Sequence, residues 1–227
     1  MTVSAVVPIR YRDCFDDQGE PLFSLSGRPL WEITLSQAFK SKMLSNVIVA
    51  YDDPRFLDKL GSWQEKVVLC ERPPYLSEQE ASIMDVLAFT AKEADQSGYG
   101  SDYYMLIEIT HPLRPDGIID QMVGALEDLD VDSLITCRRS HYSLWRRDGR
   151  GATTRILGPY EKEETELFQE LIGICSVFKG RCLRSGVPFG EKVDIVPIDK
   201  FWATIDVRDE DGLWLAESYL SRFGIDI

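Results

Sequence analysis

Long apolar runs are missing from this sequence of 227 residues. No stretch approaches the roughly 20 apolar residues that a helix needs to cross a bilayer, so we expect no membrane partner. Residues 1–8 also lack the basic start and the long apolar segment of a secretory signal peptide. They are instead typical of a first β-strand.

Cysteine and histidine are scarce. The five cysteines form no CxxC pair, and an odd count does not suit a disulfide framework. We therefore predict free thiols in a reducing compartment, which places the protein in the cytoplasm. Two histidines, His111 and His141, leave little room for a histidine-rich metal site.

Positive charge is in deficit, with 25 Lys and Arg against 38 Asp and Glu and a net charge of −13. This balance argues against a general affinity for nucleic acid, because a phosphate backbone needs a surplus of basic side chains. A small anionic ligand is still compatible with the acidic composition. It needs only a local cluster of positive groups and backbone N–H donors, often with a divalent cation.

Short β-branched runs alternate with segments of helical periodicity, a pattern that predicts an α/β fold with a parallel sheet. The predicted strands are 3–8, 46–51, 66–69, 102–109, 132–137, 171–178, 193–197 and 201–207. The predicted helices are 30–41, 54–60, 77–95, 115–129 and 211–222. The segment 10–28, rich in Asp, Gly, Pro and Ser, predicts no regular element.

The segment 141–170 differs from its surroundings because it is polar and charged, with aromatic residues between. About 30 residues cannot form a core of their own. We therefore expect one domain over 1–227, with 141–170 as an arm or hairpin within it.

Polar residues collect where the predicted strands end. In open parallel sheets, ligands bind outside the carboxyl ends of the strands. The residues at those ends are Pro8-Ile9-Arg10, Asp52-Asp53, Thr110 to Arg114 and Ile205 to Arg208. Arginines and carboxylates on one rim would suit an anionic substrate with a divalent cation, as in phosphoryl or nucleotidyl transfer.

Several segments carry a family resemblance, in order and over nearly the whole chain. They are VVPIRY, SGRPLWEITLSQAFKSKMLSNVIVAYDDPRF, ERPPYLSEQEASIMDVL, EITHPLRPDGIID, DSLITC, LIGICSVF and IDVRDEDGLWLAE. Together they resemble the cytidylyltransferases that activate acidic sugars, the CMP-sialic acid (acylneuraminate) and CMP-Kdo synthetases. The chain resembles a divergent member of that family.

The resemblance implies a Rossmann-like, three-layer α/β/α nucleotidyltransferase fold with a mostly parallel sheet and a small dimerisation arm. It implies an enzyme that joins CMP from CTP to an acidic sugar or related acidic acceptor and releases pyrophosphate. Mg²⁺ would be the cofactor. CTP and the acidic acceptor would be the small-molecule partners, and two copies would form a homodimer through the arm.

The resemblance also implies site residues. Catalytic roles would fall to Arg10, Arg12 and Asp206. The nucleotide would be bound by Pro8, Arg10, Arg72 and Ser82. The acceptor would be bound by Thr110, His111 and Arg114. Mg²⁺ would be held by Asp206 and Asp209.

The loop after the first strand departs from the family pattern. The family has small Gly and Ser residues and a Lys there, whereas this chain has acidic residues, with Glu20 at the place of the Lys. The acids are Asp13, Asp16, Asp17 and Glu20. A carboxylate in place of an ammonium beside a triphosphate would cost about 1–4 kcal/mol per close pair.

The altered loop keeps other functions open. One alternative is a catalytically altered or inactive relative that acts as a ligand- or protein-binding module. Another is a sugar-phosphate nucleotidyltransferase that uses a different nucleoside triphosphate.

Single residues also have structural alternatives. Arg10 could form a surface salt bridge with a loop acid. Asp206 could cap the closing helix. His111 could make a structural loop contact, and Ser82 could be a small packing residue within a helix.

Overall fold

A computed structural model describes residues 1–78, 80–157, 166–224 and 227. The strands are β1 (Val3–Ile9), β2 (Ser24–Leu25), β3 (Arg28–Pro29), β4 (Asn46–Tyr51), β5 (Val68–Glu71), β6 (Tyr103–Leu106), β7 (Ser133–Ser140), β8 (Leu144–Arg147), β9 (Thr153–Leu157), β10 (Leu167–Glu170), β11 (Ser176–Lys179) and β12 (Val193–Pro197). The helices are α1 (Tyr11–Cys14), α2 (Leu30–Lys40), α3 (Leu57–Leu60), α4 (Ile83–Gln96), α5 (Ile118–Asp128), α6 (Gly180–Arg184) and α7 (Glu210–Phe223).

Within the described ranges, eight strands form one twisted sheet with the order β10-β7-β11-β6-β1-β4-β5, and β12 pairs with β7. The pairs β5–β4, β4–β1, β1–β6 and β12–β7 are parallel. The pairs β6–β11, β11–β7 and β7–β10 are antiparallel. The predicted α/β architecture with a mostly parallel sheet is confirmed.

The central strand β1 is apolar and buried on both faces, as a strand covered by helices on two sides must be. Its side chains alternate between two apolar clusters. Ala5 and Val7 belong to a cluster with residues of α2, α5 and α7. Val6 belongs to a second cluster with residues of α4 and α6. The sheet is therefore the middle of three layers.

Three sequence predictions were wrong in detail. The segment 10–28 is not without regular structure, since it contains α1 and the hairpin of β2 and β3, whose turn places Ser26 and Gly27 at positive φ. The predicted strand 201–207 is a 3₁₀ turn at Phe201–Thr204. The predicted strand 171–178 begins only at Ser176. Short apolar runs do not distinguish a strand from a helical turn, which explains both errors.

The predicted arm 141–170 contains β8 and β9, which pair with each other in a separate two-stranded sheet. Residues 158–165 of the arm lie outside the described residues. Its last strand, β10, pairs with β7 in the main sheet. In the part of the chain that the structure describes, no helix is both long and apolar enough to span a membrane.

Candidate functional site

A cleft opens at the carboxyl ends of β1 and β6. The chain leaves β1 for β4 on one side, whereas β6 joins β1 on the other, and such a switch point leaves a crevice between the two connections. The cleft has a volume of about 190 Å³. Its polar lining residues are Arg10, Asp13, Arg72, Glu108, Thr110 and Arg208. Pro8, predicted to bind nucleotide, also lines it.

Arg10 follows β1 directly and reaches the mouth of the cleft. Its Nη1 lies 3.4 Å from Asp13 Oδ2, and its Nη2 donates to the Glu78 carbonyl at 3.4 Å. Its Nε is buried and has no hydrogen-bond partner among the described residues. Two long contacts hold the guanidinium loosely, so its donors are available to an anion.

Arg72 lies beneath Arg10 and is 4% exposed. It donates to the Ile9 carbonyl at 3.0 Å and to Ser77 Oγ at 3.1 Å, and its Nη2 lies 3.6 Å from Asp52 Oδ2. Burial lowers the pKa of Arg72, and Asp52 opposes that effect. Arg72 therefore joins the ends of β1 and β4 to the turn before α4, and it forms the floor of the cleft.

Ser82 does not lie within a helix, because it is the N-cap of α4. Its Oγ accepts from the Asp85 backbone N–H, and the Asp85 carboxylate accepts from the Ser82 backbone N–H, which is a capping box. Ala81 and Ile83 on either side line the cleft. The N-terminus of α4, which is the positive end of the helix dipole, therefore lies at the cleft. Arg12 is more peripheral, with its side chain 63% exposed and its Nη2 3.2 Å from the Ser77 carbonyl.

Thr110 and His111 follow β6 and differ in their access to the cleft. Thr110 lines it, and its Oγ1 has no hydrogen-bond partner within the described residues. His111 is buried, with its Nδ1 3.4 Å from the Ile205 carbonyl. Burial, aided by the charge of Arg114, lowers the pKa of His111 to about 4. A neutral, buried imidazole favours the structural interpretation of His111.

Arg114 lies behind the cleft wall and not on its surface. Its guanidinium donates to the carbonyls of Ile174 at 2.6 Å, Gly173 at 3.1 Å and Glu108, and to Gln37 Oε1 at 3.1 Å. Burial lowers the pKa of Arg114 to about 10, which leaves it charged at neutral pH. These contacts give it a supporting role, since its donors are engaged by the protein.

The acidic residues of the C-terminal rim are also engaged. Asp209 caps α7, and its Oδ1 accepts from the Gly212 N–H at 2.8 Å. The helix cap considered for Asp206 therefore belongs to Asp209. Asp206 Oδ2 instead accepts from Arg208 Nε at 2.7 Å.

Glu108 is a site residue that sequence reasoning missed. Its carboxylate lines the cleft, and its Oε2 lies 3.9 Å from Arg208 Nη2. Burial raises the pKa of Glu108, and Arg208 partly offsets this rise. Gly173 packs against this side chain, and a Cβ there would overlap the carboxylate. Its position at the end of a predicted strand was the signal that could have identified it.

The Mg²⁺ site predicted on Asp206 and Asp209 does not fit this arrangement. The Asp209 carboxylate caps a helix and the Asp206 carboxylate is paired with the Arg208 guanidinium, whose positive charge opposes a second cation at the same place. The residues described contain no group of three or more His, Cys, Asp or Glu side chains that could hold a metal ion. Mg²⁺ remains a prediction from the family resemblance.

The acidic loop is folded away from the cleft for most of its length. The Asp16 carboxylate accepts the backbone N–H groups of Gln18 and Glu20, each at 2.9 Å. Glu20 lies on a separate depression beside Lys59, which shares no lining residue with the cleft. The repulsion expected from four loop acids is therefore reduced to that of Asp13, the one loop acid that lines the cleft.

The fold is similar to those of two solved structures. It is similar to the structure of CMP:2-keto-3-deoxy-manno-octonic acid synthetase complexed with CTP, with a TM-score of 0.68 and 15% identity over 98% of this chain and 99% of that chain. It is also similar to 4-diphosphocytidyl-2C-methyl-D-erythritol synthase from Anaerococcus prevotii, with a TM-score of 0.66 and 14% identity over 97% of this chain and 99% of that chain. At such identities the likeness shows the fold alone.

Comparison of the sequence with known families identifies the family of this chain. The cytidylyltransferase family model matches residues 18–148, which is more than half of the chain, and the chain belongs to this family. A 3-deoxy-manno-octulosonate cytidylyltransferase from Thermodesulfovibrio yellowstonii is 28% identical over 60% of this chain and 51% of its own length. One from Chloroherpeton thalassium is 34% identical over 45% of this chain and 37% of its own length. The alignments thus span about half, or less, of these curated relatives.

Proposed function

We propose that this protein joins CMP from CTP to an acidic sugar or related acidic acceptor and releases pyrophosphate. The observation that carries the proposal is Arg10, a loosely held guanidinium at the mouth of the switch-point cleft. The positive end of α4 borders the same space. In a protein of the cytidylyltransferase family, this space suits the triphosphate of CTP.

In this proposal the protein acts mainly by positioning the substrates and neutralising charge. Arg10 and the N-terminus of α4 bind the phosphates, and Arg72 holds the strand end that carries Arg10. The acceptor hydroxyl loses its proton to solvent water as its oxygen bonds to the α-phosphorus, the bond from that phosphorus to the bridging oxygen breaks, and pyrophosphate leaves. Charge on the phosphate oxygens is then stabilised by groups that are already in place.

Replacing Arg10 with alanine tests the nucleotide site. We expect CTP binding to weaken about 10- to 100-fold, because a charge-assisted hydrogen bond contributes about 1.5–3 kcal/mol. Calorimetric titration with the four nucleoside triphosphates measures the affinity, and release of pyrophosphate with a panel of acidic acceptors measures the activity. Arg184→Ala is the matched control, since Arg184 pairs with Asp95 at the surface. Equal CTP affinity for wild type and Arg10→Ala would refute the role of Arg10.

A second candidate function is a catalytically altered relative that binds a ligand or a protein. The observation in its favour is that two arginines of the cleft already pair with carboxylates, Arg10 with Asp13 and Arg208 with Asp206. CTP binding without pyrophosphate release from any acceptor would favour it. A preference for another nucleoside triphosphate would instead favour the sugar-phosphate nucleotidyltransferase.

The acceptor side of the proposal rests on a second depression beside Asp206. It is lined by Arg138, Gln169, Leu171, Phe201, Thr204, Ile205, Asp206, Gly212 and Leu215. The Arg138 guanidinium lies 4.7 Å from the centre of the Phe201 ring. A half-buried guanidinium on an aromatic ring suits the carboxylate of an acidic acceptor.

Replacing Arg138 with glutamine should raise the KM for the acidic acceptor about 10-fold or more and leave the KM for CTP unchanged, because one charge-assisted contact is lost. Steady-state kinetics with each substrate varied in turn measures both constants. Arg139→Gln is the control, since side chains of adjacent strand residues point to opposite faces and Arg139 pairs with Glu166 at 2.7 Å. An unchanged acceptor KM would count against this subsite.

We also propose a homodimer that forms through the arm, in the cytoplasm. Three large apolar side chains in the first part of the arm are exposed, by 71% for Tyr142, 54% for Leu144 and 62% for Trp145. Exposed apolar patches of this kind are typical of protein interfaces. The five cysteines are free and buried, which is compatible with a reducing compartment.

A further inference from the structure

Arg208 lies between two carboxylates at the edge of the cleft. Its Nε donates to Asp206 Oδ2 at 2.7 Å, and its Nη2 lies 3.9 Å from Glu108 Oε2. Glu108 and Arg208 both line the cleft. Two carboxylates from separate segments of the chain lie on either side of one cation, and a divalent metal ion could occupy the place of that cation.

The backbone segment that carries the Arg208 guanidinium is held by contacts with two other parts of the fold. The Val207 backbone N–H donates to the Thr110 carbonyl at 2.7 Å, which ties this segment to the end of β6. Gly212 of α7 packs against the backbone of Asp206, where a Cβ would overlap the carbonyl oxygen. The carboxylates therefore hold the guanidinium on a segment that is itself anchored at two points.

The Arg208 guanidinium still has N–H donors that can bind a ligand. Arginine has five N–H donors and stays charged at any physiological pH, and the two contacts to carboxylates engage part of the donors. The Arg208 side chain is 59% exposed, so a ligand in the cleft can reach it. Its remaining donors suit bidentate binding of phosphate.

We propose that Arg208 supplies, as a built-in cation, the positive charge that a divalent ion would otherwise supply at this end of the cleft. The inference rests on the proposed binding of a triphosphate in the cleft. It follows that triphosphate binding depends on Arg208 and depends little on Mg²⁺. Removal of the guanidinium leaves the carboxylates of Glu108 and Asp206 without their shared partner. Triphosphate binding then becomes dependent on Mg²⁺.

Calorimetric titration of the full chain with inorganic tripolyphosphate and with CTP tests this, in a chelator and in Mg²⁺. Wild type should bind both ligands in the chelator, with less than about a 3-fold change in Mg²⁺. Arg208→Gln should lose about 10-fold or more in the chelator and recover in Mg²⁺. Arg208→Lys should lie between, because it keeps the charge but not the planar fork. Arg184→Gln, at a surface ion pair, should bind like wild type.

The outcomes separate this inference from the proposed function. A wild type that binds only in Mg²⁺, with Arg208→Gln unchanged, overturns the inference and leaves the proposed function intact. Arg208-dependent binding of tripolyphosphate without preference for CTP supports the inference and refutes the cytidylyl specificity. Binding of neither ligand under any condition overturns both. Thermal melting tests whether each variant is folded. If Arg208→Gln does not fold, Arg208→Lys is used in its place.

Discussion

Arg114→Ala should lower the free energy of unfolding by about 3–5 kcal/mol, the range for removing one partner from a buried charged network. The guanidinium is buried and serves three backbone carbonyls and the Gln37 side chain. Alanine would leave those carbonyls without donors, at about 1–3 kcal/mol for each acceptor that water cannot reach. Lysine should not rescue the variant, because one ammonium cannot reproduce a planar fork with five donors.

Urea unfolding measures the effect of Arg114→Ala. The midpoint should fall at an unchanged slope, which identifies a change of stability without a change in the surface exposed on unfolding. Arg184→Ala is the control, because an exposed ion pair contributes at most about 1 kcal/mol. A midpoint equal to that of wild type would show that the guanidinium does not hold the segment 173–174 against β6.

Arg72→Met should cost a similar amount, about 3–5 kcal/mol, and should also abolish CTP binding. Methionine retains the apolar volume of the stem but leaves the Asp52 carboxylate and the Ile9 carbonyl without the guanidinium. The floor of the cleft would then lose the group that joins β1, β4 and the turn before α4. Binding should fail because Arg10 is the next residue after Ile9.

A double-mutant cycle distinguishes this network from a simple loss of packing. Asp52→Asn removes the charge and keeps an oxygen that can accept the Tyr11 N–H, now at 2.8 Å. The double variant Arg72→Met, Asp52→Asn should be more stable than the sum of the single variants predicts, by about 0.5–3 kcal/mol. Additive changes would contradict a direct interaction between Arg72 and Asp52. Arg12→Met, at an exposed side chain near the same turn, is the control for a mere loss of positive charge.

The sequence was sufficient to predict those strands of the sheet that are buried on both faces. The continuous β-branched runs of β1 and β4 leave little choice of structure, and β4 was predicted with its observed bounds, Asn46–Tyr51. The ends of the strands also indicated the location of the cleft, since the strand order in an α/β sheet fixes where the rim lies. This part of the prediction depends on local pattern and on a general rule of topology.

The roles of individual rim residues could not be predicted in the same way. Arg114 faces the carbonyls of Gly173 and Ile174, which are about sixty residues away in the sequence and carry no side-chain signal. The pairing of Arg208 with Glu108 depends on how the segment after the 3₁₀ turn lies against the end of β6. The loop acids were expected near the phosphates, but Asp16 binds its own turn instead. Tertiary contacts, and not residue types, decided each of these outcomes.

Gly212 gives the last helix a mechanical part in the site. Because its missing Cβ lets α7 rest directly on the backbone of Asp206, no side chain is present there to absorb a displacement between them. Trp214 of the same helix is 67% exposed, whereas the buried side of α7 rests on the segment that carries Arg208. The close packing of α7 therefore helps to fix where the Arg208 guanidinium lies.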